Sequence, residues 1–511
     1  MSRKKIIKNV VSSSAGTFIS RFLGFTRDIL IAGFFGTTPV LEAFLVAFRL
    51  PNLFRSILGE GFTDSIAIPI LAEHRKERIF SIANSLLSLF LAALSIVSLF
   101  GIILSKYLVI LIAPGFASQP DKLSMTVSFT RIIFIYLLFI GISVNIKAVL
   151  FSLKKFFIPS LTPAFLNISF IIGVLFFSRF FENYILAICV VSGGVLQVIF
   201  PYIFLKKEGF ILRLNFKNLL GDKDIIRMLK LFPPRIFSSV VYHLSVFLDT
   251  ILCSFTLIAG SGAIAAIHYA NRLIQLPLAL ITIPLCQVAI IDLSSYHKQG
   301  NMEEFKKLFV FSFQNIVFFT LPIVAVFLFI PQGIIDVIYR RAAFGEDSLN
   351  ITSMVLFFYA LGLFFFCLIK VMLNAFYALK DTLIPAKTTA ACLLINGILS
   401  VILMFPFKAG GVALGSSLAA GCNAALLYYF LIKKIGKINW EDTGQQFIRV
   451  VFLSLIAGVI SRFVWQAIPL SKYLKILIVG AEILVVLGLG GSILGLKQVR
   501  YFKQKFIGMR K

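Results

Sequence analysis

Apolar stretches of about 20 residues, separated by short polar turns, recur from one end of the chain to the other. That length matches what an α-helix needs to cross the roughly 30 Å hydrocarbon core of a bilayer. The pattern predicts fourteen spans, near 10–35, 39–72, 80–105, 125–152, 158–178, 184–205, 231–257, 263–293, 308–330, 352–378, 383–405, 411–433, 446–468 and 474–496. The second and eighth are too long for one straight crossing, and both carry helix breakers: Pro51, Gly59 and Gly61 in one, Pro277 and Pro284 in the other. Broken or bent helices are expected there. The segment 206–230 alternates apolar and basic residues and reads as an interfacial amphipathic helix between two halves.

The halves are related. "LKKFFIP" (153–159) returns as "LKDTLIP" (379–385), "GFTRDIL" (24–30) as "VFLDTIL" (246–252), and "VAFRLPNL" (46–53) as "HYANRLIQLPL" (268–278). "IAIPILAEH" (66–74) matches "VAIIDLSSY" (288–296), so four matches keep their order at offsets of 221 to 226. A duplicated six-span unit has even parity, so both copies insert the same way up, related by a pseudo-two-fold axis along the membrane normal. The expected organisation is an all-α polytopic protein. A six-helix lobe at 1–205 and a linker at 206–230 precede a second lobe at 231–433; two extra helices and a basic tail occupy 434–511.

Composition sharpens this. The chain is 59% hydrophobic with 56 Phe, against about 45–50% apolar for soluble domains. A net charge of +27 would suggest nucleic acid, but the basic residues are spread over alternate short loops: Arg3 to Lys5, Arg75 to Arg78, Lys154 and Lys155, 206–230, Lys306 and Lys307, Lys433 to Lys437 and the tail. That distribution is the cytoplasmic excess of membrane proteins, so both termini are expected in the cytoplasm and nucleic acid is excluded. The six Cys lack CxxC spacing and the four His lack metal-ligand spacing. "MSRKKIIKN" runs into the first span without a cleavage site, so no signal peptide is expected.

The informative residues are charges inside spans. On a helical projection Ser13, Thr17, Ser20, Arg21, Gly24, Arg27 and Asp28 share one face of span 1, opposite Phe18, Ile19, Phe22, Leu23 and Phe25. Arg49, Arg55 and Arg272 are further intramembrane arginines; the five together would cost on the order of 10 kcal/mol unpaired. Nearby acids are fewer: Asp28, Glu42, Glu60 and Asp249. The surplus points to a cationic cavity for an anionic, phosphate-bearing head group, since the guanidinium fork matches phosphate oxygens. Helix locking by Arg–Asp pairs is the alternative for any one of them. Lys147 and Lys370, near span ends, read as snorkelling anchors.

"SRFLGFTRD" (20–28), "EAFLVAFRLPNLFRSILGEG" (42–61) and "IPILAE" (68–73) together resemble the amino-terminal signature of the MurJ (MviN) lipid II flippases, within the multidrug/oligosaccharidyl-lipid/polysaccharide exporter superfamily. "ANRLIQLP" (270–277) supports the resemblance in the second half. It implies a multi-pass protein of the bacterial cytoplasmic membrane, acting as a monomer in peptidoglycan synthesis. It would flip lipid II, an undecaprenyl-pyrophosphate-linked precursor, to the outer leaflet by alternating access. It implies substrate-binding roles for Arg21, Arg27, Asp28, Arg55 and Arg272, with Glu42, Arg49 and Glu60 beside them. It also implies that the last two spans cradle the polyprenyl tail.

Three positions depart from that family's pattern: Glu42 replaces an Asp, Asn271 replaces the acid of "ADR", and Ser400 replaces a carboxylate of a sodium site. Asp249 and Asn396 would be the remaining sodium ligands, with membrane-potential coupling as the other driving force. The competing readings are another exporter of the superfamily (a lipid-linked oligosaccharide flippase or a cation-coupled drug antiporter) and a membrane-embedded enzyme. No HxxxH motif stands in the loops, and no enzyme and no other cofactor is expected.

Overall fold

The computed structural model of the chain describes residues 3–215 and 221–508; the side chains of 3–11, 60, 234–242, 502–503 and 505–508 lie outside the description. Every regular element among the described residues is helical. The first compact unit comprises Met1–Phe255 with Arg341–Ala343. It contains α1 (Arg3–Phe35), α2 (Pro39–Ser56), a π-helical stretch (Ile57–Ala67), α3 (Ile68–Ala72), α4 (Lys76–Ile103), α5 (Ser105–Ile112), a 3₁₀ turn (Pro114–Ser118), α6 (Pro120–Phe134) and α7 (Tyr136–Ser152). It continues through α8 (Phe157–Ile172), α9 (Ser178–Phe181), α10 (Ile185–Lys207) and α11 (Lys223–Ser254).

The second unit, Thr256–Arg340 with Phe344–Lys511, holds α12 (Thr256–Ala259), α13 (Ala263–Pro277), α14 (Ile283–Lys298), α15 (Met302–Phe329), α16 (Pro331–Ile338) and α17 (Glu346–Ala378). After them come α18 (Leu383–Ile435), α19 (Thr443–Ala467), α20 (Lys472–Val485), α21 (Gly491–Ile493) and α22 (Lys497–Gly508).

Nine helical stretches among the described residues are long and apolar enough to cross a membrane. Two of them, Phe157–Lys207 and Leu383–Ile435, have length for two crossings each. With α1, α2–α3 and α11, which carry charges, the set is consistent with fourteen. The expected breaks in spans 2 and 8 take a specific form. Helix continues through Pro51 and past Pro277, and rewinds as π-helix over Ile57–Ala67 and Leu278–Thr282.

The backbone carries the repeat more plainly than the side chains do. Lys154 (φ 62°) and Lys380 (φ 58°) are 226 apart, as are Glu182 (φ 42°) and Lys408 (φ 52°); Gly209 (φ 87°) and Gly436 (φ 79°) are 227 apart. The first pair ends α7 and α17 with the same cap: Lys155 N donates to Leu150 O and Asp381 N to Phe376 O, both at 2.9 Å.

The linker departs from expectation in two ways. Residues 210–215 are not helical. They run extended along α4, where Asn84 Nδ2 donates to Ile211 O (3.1 Å), Arg213 N to Asn84 Oδ1 (3.1 Å) and Asn215 N to Ser88 Oγ (2.7 Å), with Phe210 fully buried against Phe80. Side-chain donors and acceptors on α4 outcompete local helix, so the pattern of alternating basic and apolar residues misleads here. Among the described residues helix resumes at Lys223, capped by the Asp222 carboxylate on Asp224 N. The unit boundary also falls at Phe255 and not at 230, because α11 packs on the π stretch, α2 and the 3₁₀ turn of the first unit.

Ion pairs fix both ends of the linker: Glu208 with Lys76 and Lys155, Asp222 and Asp224 with Arg78, Asp224 with His74, and Arg227 with Glu73. The Lys155 hydrogen bond holds the Glu208 carboxyl below the usual range. Burial works against ionisation of Asp224, but hydrogen bonds and charge from Arg78 and His74 prevail and hold it low.

Candidate functional site

Span 1 meets α8 along its small residues. Ser13 and Ser160 hydroxyls lie 2.8 Å apart, and a Cβ on Gly16 would meet Phe157 O at 3.0 Å. Near Gly24 the neighbour is Asn167, whose Nδ2 donates to Ser20 O at 3.0 Å. Asn167 Oδ1 accepts from Arg27 Nη1 at 3.0 Å, and Arg27 Nε and Nη2 both donate to Asp28 Oδ1, at 3.0 and 2.7 Å. Asp28 is buried and Arg27 keeps 15% of its side chain exposed. Most of the face expected to be wet is therefore a dry contact with α8. Thr17 and Arg21 are its exposed members, and Arg21 makes no hydrogen bond or ion pair among the described residues.

An aromatic rail runs from Arg27 toward Arg55. The Arg27 guanidinium lies 5.5 Å from the Phe170 ring centre. Phe170 meets Phe44 edge-on at 5.7 Å, Phe44 stacks on Phe48 at 5.8 Å, and Phe48 lies 6.3 Å from Tyr136. Tyr136 donates to Gln197 Oε1 at 3.0 Å and sits within electrostatic reach of Arg55. Arg55, exposed in the last turn of α2, donates from Nε and Nη2 to Asn52 Oδ1 at 3.0 and 2.9 Å. Its partner is a neutral amide, so its charge is aligned and left uncancelled.

At the other end of α2, Glu42 is fully buried and paired with Lys122 near the start of α6. Lys122 Nζ also lies 4.1 Å from the Phe116 ring centre. Arg49, Glu42 and Asp249 are all within electrostatic reach of Cys253. The Glu60 side chain lies outside the described residues. Lys147 also has a partner that its place near a span end did not reveal: its ammonium is paired with Asp64 at 2.9 Å within the first unit. Arg272 is half-buried on α13 of the second unit.

Asn396, also in the second unit, is held by two serines. Its Oδ1 accepts from Ser400 Oγ (3.0 Å) and Ser416 Oγ (3.2 Å), which fills both lone pairs with neutral donors. No group of three His, Cys, Asp or Glu side chains able to hold a metal occurs among the described residues. No step below is routed through a sodium ion.

A family model described as "Lipid II flippase MurJ" matches residues 31–478. The chain belongs to that family. It is 32% identical over 467 residues, 90% of each chain, to the probable lipid II flippase MurJ of Buchnera aphidicola subsp. Acyrthosiphon pisum. To the Rickettsia prowazekii protein of the same description it is 30% identical over 480 residues, covering 92% of this chain and 93% of that one. The fold aligns with a solved "Lipid II flippase MurJ, inward closed conformation" at TM-score 0.78 and 24% identity, over 95% of this chain and 99% of that one. An inward-facing multidrug MATE transporter aligns at TM-score 0.66 and 14% identity, over 84% and 98%.

Within this MurJ-family chain, the sequence shows the intramembrane charges Arg27 and Glu42 but not what holds them. Asn167 and Lys122 lie 140 and 80 residues from their partners. Only the packing of α1 on α8 and of α2 on α6 brings them together.

Proposed function

We propose that this chain is a lipid II flippase of the bacterial cytoplasmic membrane, a multi-pass transporter working as a monomer by alternating access with both termini in the cytoplasm. The observation that carries the reading is a set of arginines on the first unit whose charge the protein does not fully answer. Arg21 is exposed, Arg55 is oriented by an amide, and Arg27 is oriented by Asp28, Asn167 and the Phe170 face. Guanidinium forks held in this way suit the oxygens of a pyrophosphate, which can take up the donors that Asn52 and Asn167 now occupy. Asp28 keeps Arg27 compact until a stronger anion competes. Family membership supplies lipid II as the molecule bearing that pyrophosphate. The MATE likeness is one of fold alone and does not choose between substrates.

The test is rescue of a flippase-depleted strain, with membrane levels of each variant measured. Arg55→Ala and Arg21→Ala should fail to rescue while Asn52→Ala, which frees the Arg55 fork, rescues. Arg272→Ala asks the same of the second unit. Purified protein should bind lipid II more tightly than undecaprenol, and the preference should shrink as salt rises from about 0.1 M to about 1 M. Full rescue by both first-unit variants, or equal affinity for the two lipids, would overturn the reading. Reporters fused at each terminus check the orientation.

A further inference from the structure

The last two spans contain a titratable group that the reading above does not use. From Ile476 to Val485 every residue of α20 is apolar or small except Glu482, which stands near the middle of the crossing Lys472–Ile493. Its Oε2 accepts a hydrogen bond from Ser461 Oγ of α19 at 3.0 Å; Ser461 is fully buried. Its Oε1 is enclosed and has no hydrogen-bond partner among the described residues.

The charged residues of the elements packed on α20 are turned elsewhere. Asp336 of α16 pairs with Lys472 and Arg340, Lys475 donates to Trp465 O at 2.7 Å, and neither Arg449 nor Arg462 of α19 contacts Glu482. The π-helical turn Val486–Gly490 carries no charge. A carboxylate in this place would leave Oε1 without a donor and its charge without a cation. A carboxylic acid needs neither.

We infer that Glu482, held by Ser461, is a proton-binding site within the last two spans. The inference is independent of the lipid that the arginines take. α20 is open around the site: only 11% of its crossing is buried, and a Cβ on Gly480 or Gly488 would meet nothing within 4 Å. The proton is exchanged when the two spans part enough to admit water, so its release reports their movement.

Carbodiimides of apolar character add to protonated carboxyl groups in apolar surroundings. Full-length protein treated with dicyclohexylcarbodiimide should acquire an adduct on the peptide containing Glu482. Labelling should fall about 10-fold or more between pH 6 and pH 9, as a titrating carboxyl requires. The isosteric variant Glu482→Gln, which keeps the Ser461 hydrogen bond, should lose that adduct alone. Absence of the adduct from wild-type protein at every pH, or a labelling rate that does not change with pH, would overturn the inference. Both are read on the unaltered chain, so a poorly folding variant cannot obscure the result.

Discussion

Glu42 shows what a buried charge demands of its neighbours. Its carboxylate is fully enclosed, and Lys122 answers it from another helix with an ammonium that also rests on the Phe116 ring. Removing one partner of such a pair strands the other and costs about 3–5 kcal/mol, whereas replacing both with apolar groups of similar volume is close to neutral. Lys122→Met should therefore lower the thermal midpoint of detergent-solubilised protein sharply, and Glu42→Leu with Lys122→Met should recover most of the loss. Equal losses in the single and the double variant would show that the pair does not interact in this way. Asn167→Ala is a second residue-level case. It removes a hydrogen bond to Arg27 and one to Ser20 O, and should weaken rescue without removing any charge. Arg21, Arg27, Arg55 and Glu42 were legible in the sequence because charge inside an apolar run is rare and costly. Their partners were not. Nothing about Lys122 or Asn167 in isolation says which helix it will face.

Among the elements, the linker was read least well and its surroundings explain why. An alternating basic and apolar pattern predicts an interfacial helix only when the backbone has no better partner, and α4 offers Asn84 and Ser88 as that partner. The ends are then held by half-exposed ion pairs, each worth about 1 kcal/mol or less and screened by salt. Hydrogen exchange over 206–215 and 221–230 should accelerate between about 0.1 M and about 1 M salt, more than in the buried helix α7. The pH dependence has a definite sign. Asp224 and Glu208 titrate below their usual values in the folded protein, so their contribution is complete above the unfolded range of about 4 and is lost as pH falls below it. Protection factors in these segments, with the observed rate divided into the intrinsic rate at each pH, should fall on acidification through that window. The helices themselves were legible from hydrophobic period and length; the π-helical rewinding of spans 2 and 8 was visible only as misplaced Pro and Gly.

On the scale of the whole chain, duplication is written in backbone torsions. Glu182 (ψ −122°) and Lys408 (ψ −134°) share a conformation that glycine prefers, at the point where one long helical run turns into the next crossing. A non-glycine residue held there stores about 1–3 kcal/mol. Glu182→Gly and Lys408→Gly should each raise the thermal midpoint, and β-branched replacements should lower it. If only one of the pair responds, the two turns are not equivalent. The sequence matches that first suggested the repeat cover short segments, because the side chains of the two halves have diverged. Arg27 of the first half faces no arginine at the corresponding place in "VFLDTIL" (246–252). The turns have persisted where the charges have not.

The Glu42–Lys122 pair also imposes an order on synthesis. The acid is made 80 residues before its cation. At ordinary elongation rates that is an interval on the order of ten seconds. During it, span 2 enters or passes the insertion machinery without the Lys122 ammonium, and the pair can form only once the start of α6 has emerged. Assembly of the first unit is thus timed by the ribosome, and slowing translation between the codons for these two residues should lengthen the period in which span 2 remains exposed to quality-control proteases.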